Sequence, residues 1–131
     1  DICNQDVVRA LAGFDVWIAE GNMDHQVSLR PAVESILGRG RMAWIQKPAL
    51  NGYAVAVFHG DNSTMLNDLI TSGRYAYVFH GHTHRRRDRV VGNTRVINPG
   101  ALGGKHQERR SFCIMDLENG QAHFIEIDAD E

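Results

Sequence analysis

A chain of 131 residues with 43% hydrophobic and 23% charged side chains is long enough for one domain with a real core. Its formal net charge of −2 selects neither for nor against a polyanionic partner, and it offers no apolar run of about 18 residues that would span a membrane. The two cysteines, Cys3 and Cys113, form neither a metal-spaced pair nor a disulfide framework, so a reducing cytoplasm is the expected compartment.

Asn4 to Ala12 places Val7, Val8 and Leu11 on one helical face, and Gly13 ends it. Asp15 to Glu20 reads as a buried strand, followed by a polar loop, Gly21-Asn22-Met23-Asp24-His25. A second helix is expected over Arg30 to Leu37, with Pro31 in its first turn. Met42 to Gln46 and Tyr53 to Phe58 then read as strands joined by an Asn51-Gly52 hairpin turn. Asn62-Ser63-Thr64 offers a cap for a helix from Met65 to Ser72. Ala76 to Phe79 reads as another buried strand, delivering His80-Gly81-His82-Thr83-His84. Arg89 to Val91, a Gly92-Asn93 turn and Thr94 to Ile97 follow, then Asn98-Pro99-Gly100. Ser111 to Leu117 and Gln121 to Ile127 form a closing hairpin across Asn119-Gly120. There is no repeat, low-complexity tract or linker, so residues 1–131 are expected to form a single α/β layered domain.

Three predicted strand ends carry potential ligands: Gly21-Asn22-Met23-Asp24, His59-Gly60 and Gly81-His82-Thr83-His84. In open α/β sheets the carboxyl ends of strands are where ligands bind. Taken singly, Asn22 reads as a turn residue and His59 as a core or turn histidine. Their joint placement at three strand ends favours a site. His82 and His84 are two apart, so an extended backbone would turn both rings to one side. Imidazoles with Asn and Asp oxygens make a mixed nitrogen and oxygen set suited to Zn, Mn, Fe or Ni.

The ordered blocks Gly21-Asn22-Met23-Asp24, Phe58-His59-Gly60-Asp61, Phe79-His80-Gly81-His82-Thr83-His84 and Ile97-Asn98-Pro99-Gly100-Ala101 resemble those of the calcineurin-like metallophosphoesterases. The resemblance is greatest to that superfamily's small bacterial and archaeal phosphodiesterases, which share their fold with the retromer subunit of eukaryotes. It implies a layered sandwich of two mixed β-sheets flanked by helices, with a metal site at strand C-terminal ends. It also implies that Asn22, His59 and His82 bind one metal, that Asp1 bridges to a second, and that His84 binds the second. A D-x-H block with its strand and helix is expected on roughly thirty upstream residues, the size of one βαβ unit. The other reading of Asp1 is a helix-capping residue.

The activity implied is hydrolysis of a small phosphoester, as a phosphodiesterase, by metal-activated hydroxide at a dinuclear centre with Mn as the expected ion. Asn22 and His59 would also contact the phosphate; with Asp24 they are the candidate catalytic residues. Many members carry a general-acid His after Gly-Asn, where this chain has Met23, so good leaving groups are expected to be needed. His25 could substitute, although a solvated loop histidine is the simpler reading. Ala101 stands where the family often has Ser. Arg85, Arg86, Arg87 and Arg89 could attract nucleic acid, but the solvated-face reading is preferred. His80 is expected to be buried and hydrogen-bonded, His106 and Arg109 to line the entrance, and His123 to face solvent. Trp17 and Trp44 read as core or sheet-packing residues. The competing reading is a catalytically weak scaffold or protein-interaction module of the same fold.

Overall fold

The computed structural model describes residues 2, 4–22, 24, 26–104 and 108–127, with the backbone alone at 26–28. Its elements run α1 (Gln5–Ala10), β1 (Ile18–Ala19), α2 (Gln26–Ile36), β2 (Met42–Ala43), β3 (Ile45–Gln46) and β4 (Ala49–Leu50). They continue β5 (Tyr53–Phe58), α3 (Ser63–Thr71), β6 (Tyr77–His80), β7 (Arg86–Val91), β8 (Thr94–Pro99), β9 (Arg110–Met115) and β10 (Ala122–Ile127). This is the mixed α/β architecture, with sheets flanked by helices, that the sequence led us to expect.

The largest sheet runs β3-β5-β6-β8-β7, with β4 also paired to β5. β5, β6 and β8 are parallel neighbours, so their carboxyl ends share one edge of the fold. Val55, Ala56 and Phe58 of β5 are all buried, the continuous apolar run expected of a central parallel strand. On one face lies α3, whose Leu69 and Ile70 pack with Ala56, Phe58, Val78 and Val96. Asn62 caps that helix by accepting the Met65 N–H. On the other face sits the β9–β10 hairpin, held where the Tyr77 hydroxyl donates to Leu117 O and Arg95 Nη1 to Gly120 O, both at 2.6 Å. A second core, of Val8, Ile18, Leu29, Val33 and Met42, joins α1 and α2 to the short parallel β1–β2 ladder.

The Asn51-Gly52 turn forms as expected: Leu50 pairs with Tyr53, and φ is 51° at Asn51 and 83° at Gly52. The stretch 42–46 forms two short strands rather than one. Its first half pairs with β1 and its second with β5, the change of partner falling at Trp44. Trp44 is 47% exposed and packs edge-on against Phe58, so it belongs to the sheet's margin and not to the core. Trp17 lies under the Arg41 guanidinium, 3.9 Å from its ring centroid.

Helix α2 begins about a turn earlier than expected, which puts Pro31 inside it. Leu29 and Val33, four apart and each 1% exposed, anchor that helix in the second core and outweigh the hydrogen bond Pro31 cannot make. The first strand is shorter than expected, Ile18–Ala19 alone. The closing turn spans residues 116–121 and is organised by Asp116, whose Oδ1 accepts from the Glu118 and Asn119 N–H groups. Among the described residues no helix is long and apolar enough to cross a membrane. Cys113 is a free thiol.

Candidate metal centre

The loops after β1, β5 and β6 meet at one edge of the fold. His59 Nε2 lies 2.7 Å from Asn22 Oδ1, and His82 Nδ1 lies 3.0 Å from that same Nε2. The two rings are 4.9 Å apart, centroid to centroid, at 76°. An amide oxygen only accepts, and one imidazole nitrogen carries either one proton or one lone pair. Nε2 therefore cannot serve both contacts with separate hydrogen bonds. A cation would accept electron pairs from all three atoms at once, and in this sense Asn22, His59 and His82 fit a divalent metal.

His59 is 8% exposed, and burial pushes its pKa below the usual histidine value, with a charge on His82 acting in the same direction. The carboxylates of Asp61 and Asp24 oppose this. The net preference is for neutral imidazole, the form that binds metals.

Glycines at this edge let the loops touch. Gly81 N–H donates to His59 O at 2.9 Å. Gly60, at φ 103°, leaves its α-carbon bare beside Gly81 O, which a β-carbon would meet at 3.4 Å. Asp24 closes the first loop: its Oδ2 accepts from Gly21 N–H at 2.8 Å and its Oδ1 from Ile2 N–H at 2.6 Å. Behind this loop, Glu20 is buried and ion-paired with Arg30, whose Nη1 also donates to Met42 O.

The expected extended backbone at the histidine pair is not found. His82 and His84 have φ of 70° and 60°, both in the left-handed region, and Thr83 N–H donates to Gly81 O in a tight turn. His84 lies against the loop after β8, its Cε1 3.2 Å from where a β-carbon on Gly104 would sit. Asp1, Met23, His25 and His106 lie outside the described residues. Among the described residues no three His, Cys, Asp or Glu side chains gather as a metal cluster. The trio of Asn22, His59 and His82 is what the fold brings together.

His80, expected to be buried and hydrogen-bonded, has both ring nitrogens buried; burial lowers its pKa, and the Gly81 backbone beside it acts the other way. Arg86, Arg87 and Arg89 of the basic run lie in β7, at the margin of the large sheet, and Arg85 just precedes it. Arg86 there is neutralised by Glu126 at 2.6 Å and Glu108 at 3.6 Å, while Arg87 is solvated. Arg109 is exposed, 3.9 Å from Glu126, and His123 is exposed opposite Ile114.

Sequence reasoning assigned no role to Asn98, which is buried under the histidine turn. Its Nδ2 lies 3.2 Å from Gly81 O and 3.0 Å from Thr83 Oγ1. The available signal was a polar residue following the apolar pair Val96-Ile97 just before Pro-Gly.

A family model for the calcineurin-like phosphoesterase superfamily domain matches residues 1–120. A curated phosphodiesterase of Methanocaldococcus jannaschii is 33% identical over 72 residues, 55% of this chain. The matched stretch is 43% of that relative, so this chain accounts for less than half of its length. Among solved structures, an archaeal phosphodiesterase superposes with a TM-score of 0.88 at 24% identity, over 97% of this chain and 79% of that one. Vacuolar Protein Sorting 29 from Cryptosporidium parvum gives 0.67 at 20% identity, over 95% and 75% respectively. Both likenesses are of fold. With the family model covering almost the whole chain, this protein belongs to the calcineurin-like phosphoesterase superfamily.

Proposed function

We propose that this protein is a metal-dependent phosphoesterase, specifically a phosphodiesterase acting on small phosphoesters, at a site built on Asn22, His59 and His82. The observation that carries this reading is the meeting of Asn22 Oδ1, His59 Nε2 and His82 Nδ1 around one point, with His59 biased towards its neutral form. These three residues would hold one divalent transition ion. His84 would hold a second, and Asp1 would bridge the two. The tie between Asp24 and Ile2 N–H supports that role for Asp1, because it fastens its neighbour to the Asn22 loop.

Bound ions supply Lewis-acid polarisation of a phosphoryl oxygen and acidification of water. The Asn22 amide and the His59 ring bind and orient the phosphate. Asp24, with both oxygens taken by main-chain N–H groups, positions the loop and does not donate a proton to the leaving group. Manganese is the expected ion, with Zn, Ni and Fe also compatible with this donor set. The free Cys113 accords with a reducing, cytoplasmic setting. Neutralisation of Arg86 by Glu126 and Glu108 leaves nucleic acid the less favoured substrate.

A second reading, a scaffold with little catalysis, draws on the likeness to the vacuolar sorting protein and on the apolar outer face of β9–β10, where Ile114 is 54% and Ile127 40% exposed. Full-length protein is assayed on bis(p-nitrophenyl) phosphate with and without Mn²⁺, beside His82→Ala. Mn²⁺-stimulated turnover that His82→Ala abolishes supports the enzyme. Folded protein that shows no metal-stimulated turnover refutes it and leaves the scaffold.

A further inference from the structure

We propose that Asn98 is a positioning residue for the metal centre, setting the place of His82 and His84 through the backbone between them. This rests on the metal reading of the histidine turn. Asn98 closes β8 at 1% exposure, and its amide bonds only to main chain and one hydroxyl. Nδ2 donates to Gly81 O at 3.2 Å and to Thr83 Oγ1 at 3.0 Å; Oδ1 accepts from Gly100 N–H at 3.0 Å. Gly81 precedes His82, and Thr83 separates His82 from His84.

Both histidines sit at positive φ, where a side chain is strained, so the turn needs an outside hold. Within the turn, Thr83 N–H reaches Gly81 O, and Arg85 N–H reaches Thr83 Oγ1 at a long 3.3 Å. The Asn98 amide reaches across from β8 and grips the turn on both sides of His82. An Asp there would keep the shape but offer no donors, and would set a carboxylate against Gly81 O.

Asn98 is itself fixed from behind. Gly100, at φ 88°, leaves room for Ser111, whose hydroxyl donates to Pro99 O at 2.8 Å and whose N–H donates to Ala101 O at 3.0 Å. The chain of support thus runs from β9 through the end of β8 to the histidines.

The far end of β8 supplies a control. Thr94 is also 1% exposed, and its hydroxyl donates to Tyr75 O at 2.7 Å, away from the three loops of the site. The experiment compares full-length parent with Asn98→Ala, Asn98→Asp, Thr83→Val and Thr94→Val. Mn²⁺ affinity is read by calorimetry, metal-free melting by circular dichroism, and amide exchange of the metal-free proteins by NMR.

Both Asn98 variants should weaken Mn²⁺ binding by about 10–100-fold, the usual effect of removing a group that orients a ligand. Thr83→Val, an exposed site, removes the acceptor of the Asn98 bond and of the longer Arg85 one, and should lose about 3–10-fold. Thr94→Val should melt lower yet keep its Mn²⁺ affinity. Without metal, Asn98→Ala should speed exchange at Thr83 and Gly100 at least tenfold relative to Val96. Affinity kept by the Asn98 variants, or lost equally in Thr94→Val, overturns the proposal, as does unchanged exchange in the turn. A parent that binds no Mn²⁺ sinks the metal reading instead, and the exchange comparison then decides whether Asn98 holds the turn.

Discussion

Gly100→Ala is the most discriminating stability test the fold offers, because three separate costs meet at one methyl group. At φ 88° an L-residue is left-handed, which costs about 1–2 kcal/mol. The new β-carbon would stand 2.2 Å from Ser111 Oγ, so that hydroxyl must turn away and give up its bond to Pro99 O. A buried hydrogen bond lost in this way costs about 1 kcal/mol. The methyl also presses on Arg86 Cγ at 3.2 Å, a stem with little freedom because its guanidinium is paired to Glu126 and Glu108. The sum is about 2–4 kcal/mol, which for a domain of this length lowers the melting temperature by roughly 8–16 °C. Thermal melts of parent, Gly100→Ala, Ser111→Ala and the double variant measure it. The double variant should be more stable than additivity predicts, by about 1 kcal/mol, because the hydroxyl that clashed is gone. A Gly100→Ala melt within about 2 °C of the parent, or strict additivity in the cycle, would refute the reasoning.

Other outcomes follow from the same geometry. Asp88 grips Arg95 through two bonds of 2.6 and 2.8 Å, and the hydrogen bond from Arg95 holds its carboxyl below the usual aspartate range. That carboxylate therefore adds stability above the unfolded pKa and loses it as pH falls through the folded one. Urea midpoints of parent and Asp88→Asn should differ near pH 6 and converge as pH drops below about 4; a gap that widens in acid contradicts the assignment. Ile70→Ala, at a residue 3% exposed beneath the large sheet, should cost about 2–5 kcal/mol in chemical denaturation. Asp24→Asn replaces an acceptor-only carboxylate with an amide that can accept on one side alone. Its Mn²⁺ affinity should fall by about 10-fold with the melt nearly unchanged, and equal affinity would mean the Ile2 tie is irrelevant to the centre.

What could be seen in the sequence was whatever local chemistry decides. Tyr53 to Phe58 is apolar along its whole length and ends at a histidine and a glycine, so both the strand and its delivery of His59 were visible. Asn51-Gly52 and the Asn62 cap are turn and helix signals with local causes, and both formed where expected. Helix α2 was misplaced because Pro31 looks like a first-turn residue, whereas the burial of Leu29 against the β1–β2 ladder extends the helix backward past it. The run 42–46 looked like one strand because nothing local marks a change of partner; that change is made by β1 and β5, which are distant in sequence. Asn98 could not be read for the same reason, since its partners Gly81 and Thr83 lie 17 and 15 residues away.

The histidine turn shows why candidate histidines are easier to pick out from a sequence than to orient. Spacing two apart suggested one shared direction, but that inference assumes a strand, and the strand stops at His80. Beyond it the chain curls through two left-handed residues that together cost about 2–4 kcal/mol. A three-residue turn closed by Thr83 N–H to Gly81 O recovers little of this, so the conformation must be imposed by neighbours. Asn98 from β8 and Gly81 N–H to His59 O from β5 are the neighbours that do so, and both belong to the rigid parallel part of the large sheet. His82 lies against His59, and His84 against Gly104. The placement of His82 therefore depends on buried bonds that contact neither ring.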